Sequence, residues 1–481
     1  MIIKQLISKL CQFRESIYQS FEYRADAIMD LLDALSSNIS ANSVVELSLN
    51  PLFRRNYSSV EKSISQFSTS RITDDEKQQR LKLAQQHLKI ITQHLPALKK
   101  RRFHLLATDV TPQPRPFAQT LSDRKVVHAP NPTLSNKPIA IGHEYSHLVY
   151  LPEKLSQPSP PWVIPLSVRL VGSRENPCTV GADQLATLIK DFELPFANQL
   201  CLHVGDTVYA AVRYLNDNNE HKNLVSAARL RSNRSLYFQP QGIEETAPGH
   251  PTWYGKVLKL KNANHYQADE ETLTTYTSHT GRTFNVRIKA WDNLLMRGKQ
   301  DCPMHDQPLK LIRIEAFKPN GKPLYRRPLW LIVAGDRRAE ISIVDIYLAY
   351  AQRYDIEHYF RFGKQRLLMS SYQTPELDHE ENWWHLTLLA YCQLYLAAPL
   401  AHQLPRPWES KNISTSSSLL SPSVVQRDFT RIIHQIGTPA KAPKLRGISI
   451  GRKKGVTLLP RKPLPIVFKS KKVVIKQASH F

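Results

Sequence analysis

Cysteine is scarce in this chain. Its 481 residues include only five cysteines, which are scattered and form no Cys-x-x-Cys pair. Five isolated cysteines argue against a disulfide framework and against a zinc site, and they fit a reducing cytosol. The chain also lacks a run of about 18 apolar residues and the apolar region of a signal peptide. We therefore expect a cytoplasmic protein without a membrane partner.

Acidic residues are few relative to basic ones. The chain has 65 Lys and Arg against 41 Asp and Glu, which gives a formal net charge of +24. Positions 441–476 alone carry twelve basic residues and no acidic one. A positive excess of this size indicates a polyanionic partner such as DNA, but it says nothing about the fold. We predict that the C-terminal region is a basic, partly disordered tail that adds nonspecific affinity for DNA.

Four polar side chains recur at helical spacing near the end of the third quarter of the chain. Positions 347–368 contain no proline and one late glycine, so we predict one continuous helix. At about 100° per residue, Tyr350, Arg353, Glu357 and Lys364 would lie within about 60° of one another on one face. A carboxylate flanked by two cations and a phenol suits a metal-bound phosphate better than an apolar core. The alternative is a solvated face on which Glu357 pairs with Arg353.

Two aspartates upstream are predicted to end buried strands. Asp109 follows a short apolar run and precedes a Pro-rich segment, and Asp206 follows the apolar run that begins at Leu200. An acid at the carboxyl end of a buried strand lies at the rim of a sheet, where α/β proteins build their sites. The alternative for each aspartate is a structural role in a turn or as a helix N-cap.

The helical set resembles the signature of a known family. The insertion-sequence transposases of the DDE superfamily carry Y-x2-R-x3-E-x6-K on the helix of their catalytic glutamate. Tyr350, Arg353, Glu357 and Lys364 match this signature at every position. A short motif of this kind is a hypothesis about function, which the context in the fold has to support.

The two aspartates match the other motifs of the same family in the same order. Its Asp-x-Thr block is matched by Asp109 to Thr111, and its Asp-x-x-Phe/Tyr block by Asp206 to Tyr209. The resemblance extends over roughly residues 100–400. Asp355 stands two residues before the signature glutamate, faces another side of the predicted helix and is not the match.

The resemblance implies a metal-dependent DNA transposase. Asp109, Asp206 and Glu357 would be the catalytic acids and would together hold two Mg²⁺ or Mn²⁺ ions. Tyr350, Arg353 and Lys364 would clamp phosphates of the transposon end. The implied partners are double-stranded DNA, as transposon ends and as target, and a second copy of the chain in a homodimer on the DNA. A nucleoid-associated location in the cytoplasm is the corresponding expectation.

Two further features bear on DNA contact, and each has an alternative. Arg229 and Arg231 are predicted to share one face of a strand, either as a phosphate-contacting rim or as a solvated edge. Trp253 and Trp291 lie where related transposases carry a β insertion and could stack on an extruded base, although core packing is the ordinary role of tryptophan.

The predicted architecture is an α/β fold with a ribonuclease-H-like catalytic core, a β-rich insertion and a helical N-terminal domain. The predicted divisions are residues 1–98 as a helical domain that binds the DNA end, 99–239 as the first part of the core, 240–322 as the insertion, 323–400 as the rest of the core with the signature helix, and 401–481 as the basic tail. Two other functions stay open. One is a non-catalytic DNA-binding protein derived from a transposase, and the other is a nuclease or resolvase on the same fold.

Overall fold

The structure is a computed structural model that describes residues 2–70, 75–128, 138–156, 159–240, 253–278, 281–403, 420–444 and 462–467. It is a mixed α/β structure. The α-helices are α1 (Ile2–Ser20), α2 (Ala25–Ser36), α3 (Ser58–Ser65), α4 (Glu76–Gln93), α5 (Pro177–Lys190), α6 (Val212–Asn219), α7 (Ile343–Gln352), α8 (Asp355–Arg366), α9 (Leu377–Gln403) and α10 (Pro422–Ile436). The strands are β1 (His104–Pro114), β2 (Lys125–His128), β3 (Ile139–Tyr150), β4 (Ile164–Leu170), β5 (Cys201–Gly205), β6 (Leu224–Arg229), β7 (Ser235–Tyr237), β8 (Val257–Lys259), β9 (Glu270–Thr277), β10 (Thr283–Leu294), β11 (Leu309–Phe317) and β12 (Leu329–Ala334).

One large sheet organises the described residues. Ten of the strands belong to it, in the order β2-β3-β1-β5-β6-β12-β11-β10-β9, and β4 pairs with β3 outside this path. The central strands β1, β5 and β6 run parallel to one another, whereas the other neighbours are antiparallel. Strands β9, β10 and β11, from the predicted β-rich insertion, therefore continue the same sheet beyond β12. The predicted domain boundaries stay predictions.

Strand β12 shows why the middle of the sheet is apolar on both sides. Leu331 and Val333 pack into the larger hydrophobic core, which includes side chains of α7 and α9. Trp330 and Ile332 point to the opposite face and pack into a second core with Trp291 and side chains of α6. Because alternate residues of a strand face opposite sides, a strand covered on both faces has to be apolar throughout.

Strand β1 is longer than predicted. We expected the Pro-rich segment to end it at Asp109, but β1 continues to Pro114. Its pairing with β5 ends at Ala107, whereas its pairing with β3 continues to Pro114. Proline lacks a backbone donor and is accepted where one edge of a strand has no partner. Asp109 therefore lies within a strand, two residues past the point where β5 leaves it.

The predicted helix over 347–368 is interrupted. The hydroxyl of Ser342 caps α7 by accepting from the amide of Asp345 at 3.1 Å, but α7 ends at Gln352 and α8 begins at Asp355. At the joint, the amide of Glu357 bonds to the carbonyl of Tyr354, three residues back, at 3.1 Å. Such bonds tighten the chain as in a 3₁₀ turn. The prediction of one continuous helix is wrong here, although Arg353 and Tyr354 keep right-handed helical φ and ψ angles.

Helix α9 connects the N-terminal helices to the sheet. It packs against β4 and against α1, α2, α3 and α10, and its Trp384 stacks on Tyr145 of β3 with ring centroids 4.3 Å apart. The buried pair Arg14–Asp33 lies in this interface, where Arg14 also donates to the amide oxygen of Gln393 at 3.0 Å. Among the described residues, no helix combines the length and the apolar character that crossing a bilayer would require.

A short part of the basic tail lies along the edge of the sheet. The amide of Leu464 donates to the carbonyl of Gln119 at 2.7 Å, and that of Val467 to the carbonyl of Arg124 at 2.9 Å, beside β2. The prediction of a basic, partly disordered tail covers residues 401–481, of which 404–419, 445–461 and 468–481 lie outside the described residues.

Candidate active site

The three predicted acids come from three elements that meet at one end of the parallel strands. Asp109 lies on β1 just past its pairing with β5, Asp206 directly follows β5, and Glu357 is in the first turn of α8. Parallel neighbours present their carboxyl ends at the same edge of a sheet. The charges of Asp206 and Glu357 both act on the pKa of Asp109, so the three carboxylates are close enough to interact.

A single guanidinium links two of these acids. Nη1 of Arg353 is 3.3 Å from Oδ2 of Asp109, and Nη2 of Arg353 is 3.3 Å from Oε1 of Glu357. The side chains of Arg353 and Asp109 are 13% and 19% exposed, and that of Glu357 is 42% exposed. The ion pair of Glu357 with Arg353, which the sequence left as an alternative to a catalytic role, is therefore present, and it extends to Asp109.

Burial and like charges make Asp109 unusually hard to ionise. Its pKa rises to about 6, mainly because burial disfavours the charged carboxylate and also because Asp206 and Glu357 are nearby, while Arg353 acts in the opposite direction. Burial alone would lower the pKa of Arg353, but the neighbouring acids, Asp109 above all, outweigh it and raise that pKa. The arginine thus stays charged in a pocket whose acids need a cation.

The other residues of the signature surround this pair. Nζ of Lys364 donates to the carbonyl of Pro112 on β1 at 3.1 Å, and burial lowers the pKa of Lys364 to about 8. The Tyr350 ring centre is 5.7 Å from the guanidinium of Arg353. Burial raises the pKa of Tyr350, whereas the charges of Arg353 and Arg229 lower it, which places Arg229 near the same cluster.

Of the two predicted rim arginines, only Arg229 is on a strand. It is the last residue of β6 and is paired with Leu331 of β12. Arg231 lies beyond the strand, in a turn closed by the amide of Arg234 donating to its carbonyl at 3.0 Å, and it is exposed. Both side chains are exposed and Leu230 between them is buried, so the shared face of Arg229 and Arg231 stays a prediction.

The turn after β5 explains the spacing of the second aspartate motif. Asp206 accepts from the amide of Val208 at 2.8 Å and caps a short 3₁₀ helix, so the N-cap role foreseen as an alternative is present. The fully buried Tyr209 folds back against β5. A Cβ on Gly205 would come within 2.7 Å of the Cβ of Tyr209, and one on Gly181 of α5 within 2.9 Å of its ring. Two glycines thus make room for the ring that fixes the turn presenting Asp206.

A buried network that the sequence did not reveal ties β1 to the chain after α8. Arg115, just past β1, donates to the carbonyls of Tyr372 and Thr374 and pairs with Glu380 of α9 at 3.2 Å. Glu380 also accepts from the hydroxyl of Tyr145 at 2.8 Å. These contacts fix the segment between α8 and α9 relative to β1. Charged residues so far apart in the chain leave no local pattern that would have indicated this contact.

The two tryptophans of the insertion differ in environment. Trp291 is buried in the second core, as expected for a core residue. Trp253 is 46% exposed, and its ring stacks on that of His305 with centroids 4.5 Å apart. A role of Trp253 in stacking on a base stays a prediction.

The donor set suits hard divalent cations, although its present spacing does not enclose one. Carboxylate oxygens are the ligands that Mg²⁺ and Mn²⁺ prefer, and repulsion among Asp109, Asp206 and Glu357 would be relieved by a cation. Within the described ranges, no group of three or more His, Cys, Asp and Glu side chains is arranged to hold a metal ion as it stands. Arg353 lies between two of the acids, so its position decides whether they can close on an ion.

Comparison with known protein families identifies the family of this chain. The family model of the DDE superfamily endonucleases matches residues 16–298, more than half of the chain. The chain belongs to this family. Membership implies a DNA substrate and activity of the nuclease type. Among curated proteins, the comparison finds no match. The matched range includes Asp109 and Asp206 and ends before Glu357, so the third acid rests on its signature and on its place beside Asp109.

The packing of the turn after β5 can be tested with one methyl group. Gly205→Ala should lower the free energy of unfolding by about 1–3 kcal/mol, because the new Cβ meets the backbone-proximal atoms of Tyr209 and cannot be accommodated without a shift. Chemical denaturation measures this cost. Gly172→Ala is the matched control, since its new Cβ would meet chiefly the flexible carboxylate of Glu175 at 3.1 Å. Equal costs for the two variants would contradict the proposed role of Tyr209.

The raised pKa of Asp109 predicts a pH-dependent effect of neutralising it. With metals removed by EDTA, Asp109→Asn should raise the free energy of unfolding by about 2–3 kcal/mol at about pH 7.5 and change it little near pH 4. The folded-state pKa of about 6 lies above the ordinary value of 3.8, so the folded state binds more protons between these values. The free energy of unfolding of the wild-type protein therefore falls as pH rises through this window. Asparagine does not ionise, so the variant does not lose this stability.

Denaturant unfolding at several pH values gives the measurement. The exposed Asp306→Asn is the control for removing one negative charge and should change the free energy of unfolding by less than about 0.5 kcal/mol. A stabilisation by Asp109→Asn that is the same near pH 4 and near pH 7.5 would show that ionisation of this carboxyl is not the cause.

Proposed function

We propose that this protein is the DNA transposase of an insertion sequence, which cleaves DNA strands and joins them to a target. The observation that carries the proposal is the meeting of Asp109, Asp206 and Glu357, three acids distant in the chain, around the cation Arg353. The signature that surrounds Glu357 supports the transposase group within the endonuclease family. The net charge of +24 suits a protein that holds DNA on its surface.

We further infer a ribonuclease-H-like catalytic core. The order and directions of its central strands support it: β3 runs antiparallel to β1, and β5 and β6 follow in parallel on the other side. Helix α5 precedes β5, and α6 connects β5 to β6. This arrangement delivers Asp109 and Asp206 to neighbouring strands, and the later helix α8 adds Glu357 beside them.

In the proposed mechanism, the three carboxylates would hold two Mg²⁺ or Mn²⁺ ions. Bound there, the ions would activate a water or a terminal 3′-hydroxyl and stabilise the leaving 3′-oxygen. The chain itself positions the scissile phosphate. Cleavage and joining can then use the same acids, since both are in-line displacements that need alignment and charge neutralisation more than covalent chemistry.

The cations around the acids suit the DNA backbone. Arg353 offers a planar fork that matches two phosphate oxygens, and Lys364 offers a point charge whose stem is held against β1. Tyr350 and Arg229 lie beside Arg353, so a strand that reaches Asp109 would pass them. Arg231 would contact a neighbouring phosphate. Two transposon ends have to be brought together for joining, which is the reason for proposing a homodimer on the DNA.

A nuclease or resolvase is the second candidate, because the family that matches is described as an endonuclease family. It would use the same three acids without joining strands. The products distinguish the candidates. Joined strands indicate a transposase and nicks alone a nuclease, whereas binding alone indicates the non-catalytic DNA-binding protein.

The test uses a duplex that carries the DNA flanking the gene of this chain, with Mn²⁺ and a plasmid target. Wild-type protein should nick the duplex and join it to the plasmid. Asp109→Asn, Asp206→Asn and Glu357→Gln should each reduce both products by at least about 10²-fold, because each removes a charge that the reaction needs. Binding to the duplex, measured by electrophoretic mobility shift, should persist in all three variants.

Asp355→Asn is the matched control on the same helix. Asp355 pairs with Lys154 at 2.6 Å on another face of α8, so its loss should affect thermal stability rather than strand joining. Nicking or joining at the wild-type rate in all three variants of the proposed site would contradict the assignment. A loss of activity confined to Asp355→Asn would contradict it as well.

A further inference from the structure

Arg353 connects a strand and a helix through their acids. Its two terminal nitrogens each lie 3.3 Å from a different carboxylate, one on β1 and one on α8. The guanidinium is thus a bridge, and Asp109 and Glu357 are within reach of each other across it. The charge of Asp206 also acts on Arg353, so all three proposed metal ligands interact with one cation.

A guanidinium and a divalent cation cannot occupy this position together. Mg²⁺ requires oxygen ligands at about 2.0–2.1 Å in near-octahedral geometry. The oxygens of Asp109 and Glu357 that contact the two terminal nitrogens of Arg353 are held apart by the width of the guanidinium. Their lone pairs accept hydrogen bonds from Arg353 and are not free for a metal ion. The positive charge of Arg353 would also repel an incoming ion. Binding of metal to Asp109 and Glu357 therefore requires Arg353 to give up at least one of them.

The pocket nevertheless needs a cation when no metal is present. Arg353 and Asp109 are largely shielded from solvent, where carboxylates left without a counter-charge are strongly unfavourable. Lys364 is directed to the carbonyl of Pro112 rather than to a carboxylate. Of the described basic side chains, Arg353 is the one whose ion pairs hold both Asp109 and Glu357.

We propose that Arg353 is a positioning residue that stands in for the divalent cation in the metal-free protein and competes with it for Asp109 and Glu357. The inference rests on the proposed function, because it takes these acids as metal ligands. A DNA phosphate is an anion that can accept two hydrogen bonds from the guanidinium, as a carboxylate can. The nearby ring of Tyr350 can hold the displaced guanidinium by a cation–π contact. Contact with DNA would thus release the acids for metal, and the free protein would bind metal weakly.

The direct test is isothermal titration calorimetry, in which Mn²⁺ is titrated into the full-length, metal-free protein without DNA. Arg353→Gln should lower the dissociation constant for Mn²⁺ by about tenfold or more, because the competing charge is gone while polarity and length are largely kept. Arg353→Lys should lower it less, since an ammonium keeps the charge but cannot bridge two carboxylates with separate nitrogens. Thermal unfolding in EDTA verifies that each variant is folded. If Arg353→Gln does not fold, the comparison of Arg353→Lys with the wild-type protein is the test.

Arg229→Gln is the matched control. It removes the same charge from the same neighbourhood, but Arg229 makes no ion pair with the acids in the described structure. The dissociation constant for Mn²⁺ should change less than about threefold in this variant. A purely structural role of Arg353 predicts the opposite of the proposal, namely weaker Mn²⁺ binding in Arg353→Gln because the acids lose their alignment.

The outcomes separate this inference from the proposed function. Unchanged or weaker Mn²⁺ binding in the Arg353 variants overturns the inference, and so does equal tightening in Arg353→Gln and Arg229→Gln, which would reflect general charge alone. The same titration on Asp206→Asn tests the site itself. Mn²⁺ binding that is unaffected by Asp206→Asn would mean that the ions bind elsewhere, and the proposed function would fail on its own account.

Discussion

Bringing three carboxylates into one partly shielded pocket costs electrostatic free energy, and much of the site depends on how that cost is offset. At Asp109 this cost is visible as a pKa raised to about 6, mainly through burial and also through the charges of Asp206 and Glu357. Arg353 offsets part of it by bonding to Asp109 and Glu357 together. A pocket of this kind attracts any cation that fits its oxygens. In the proposed function, the same repulsion that destabilises the metal-free pocket would be the source of its affinity for metal.

The acids can be held against their repulsion only because the surrounding elements are fixed independently. Strand β1 is anchored on both sides, by β5 up to Ala107 and by β3 as far as Pro114. Tyr209, packed against two glycines, fixes the turn that carries Asp206. The Arg115–Glu380 contact holds the chain after α8. Each acid is thus positioned by packing or by a buried network outside the pocket, so the pocket can stay charged without losing its geometry.

The sequence predicted those parts of the site that depend on local patterns. Asp206 directly follows a buried strand and also serves as an N-cap, and Glu357 lies on a helix. These features follow from the periodicity and capping preferences of short segments. The assignment of three acids to one site required the resemblance to a family, since no local pattern brings together residues separated by more than two hundred positions.

Features that depend on tertiary contacts were not predictable in the same way. The prolines after Asp109 indicated the end of a strand. Strand β1 nevertheless continues to Pro114, because β3 stays paired with it along one edge after β5 has left the other. The break between α7 and α8 falls at Arg353 in a segment without proline or glycine, where the interior of a helix was the natural expectation. Arg231 leaves its strand because β6 ends at Arg229. At β1 a neighbour in space, β3, decides the conformation, and the sequence of the segment alone does not name that neighbour.

The charge of the whole molecule and the charge of the pocket have opposite signs, and this contrast fits a protein that handles DNA and metal at one site. The positive excess draws in a phosphate backbone, which carries negative charge toward carboxylates that would repel it. Cations at the pocket have to resolve that conflict. Arg353 lies between two of the acids, Lys364 contacts Pro112 on β1, and Arg229 lies near Tyr350; in the proposed mechanism, divalent ions would supply further positive charge. In the proposed function, a strand could approach Asp109 only with such positive charge beside it, because phosphate and carboxylate repel each other.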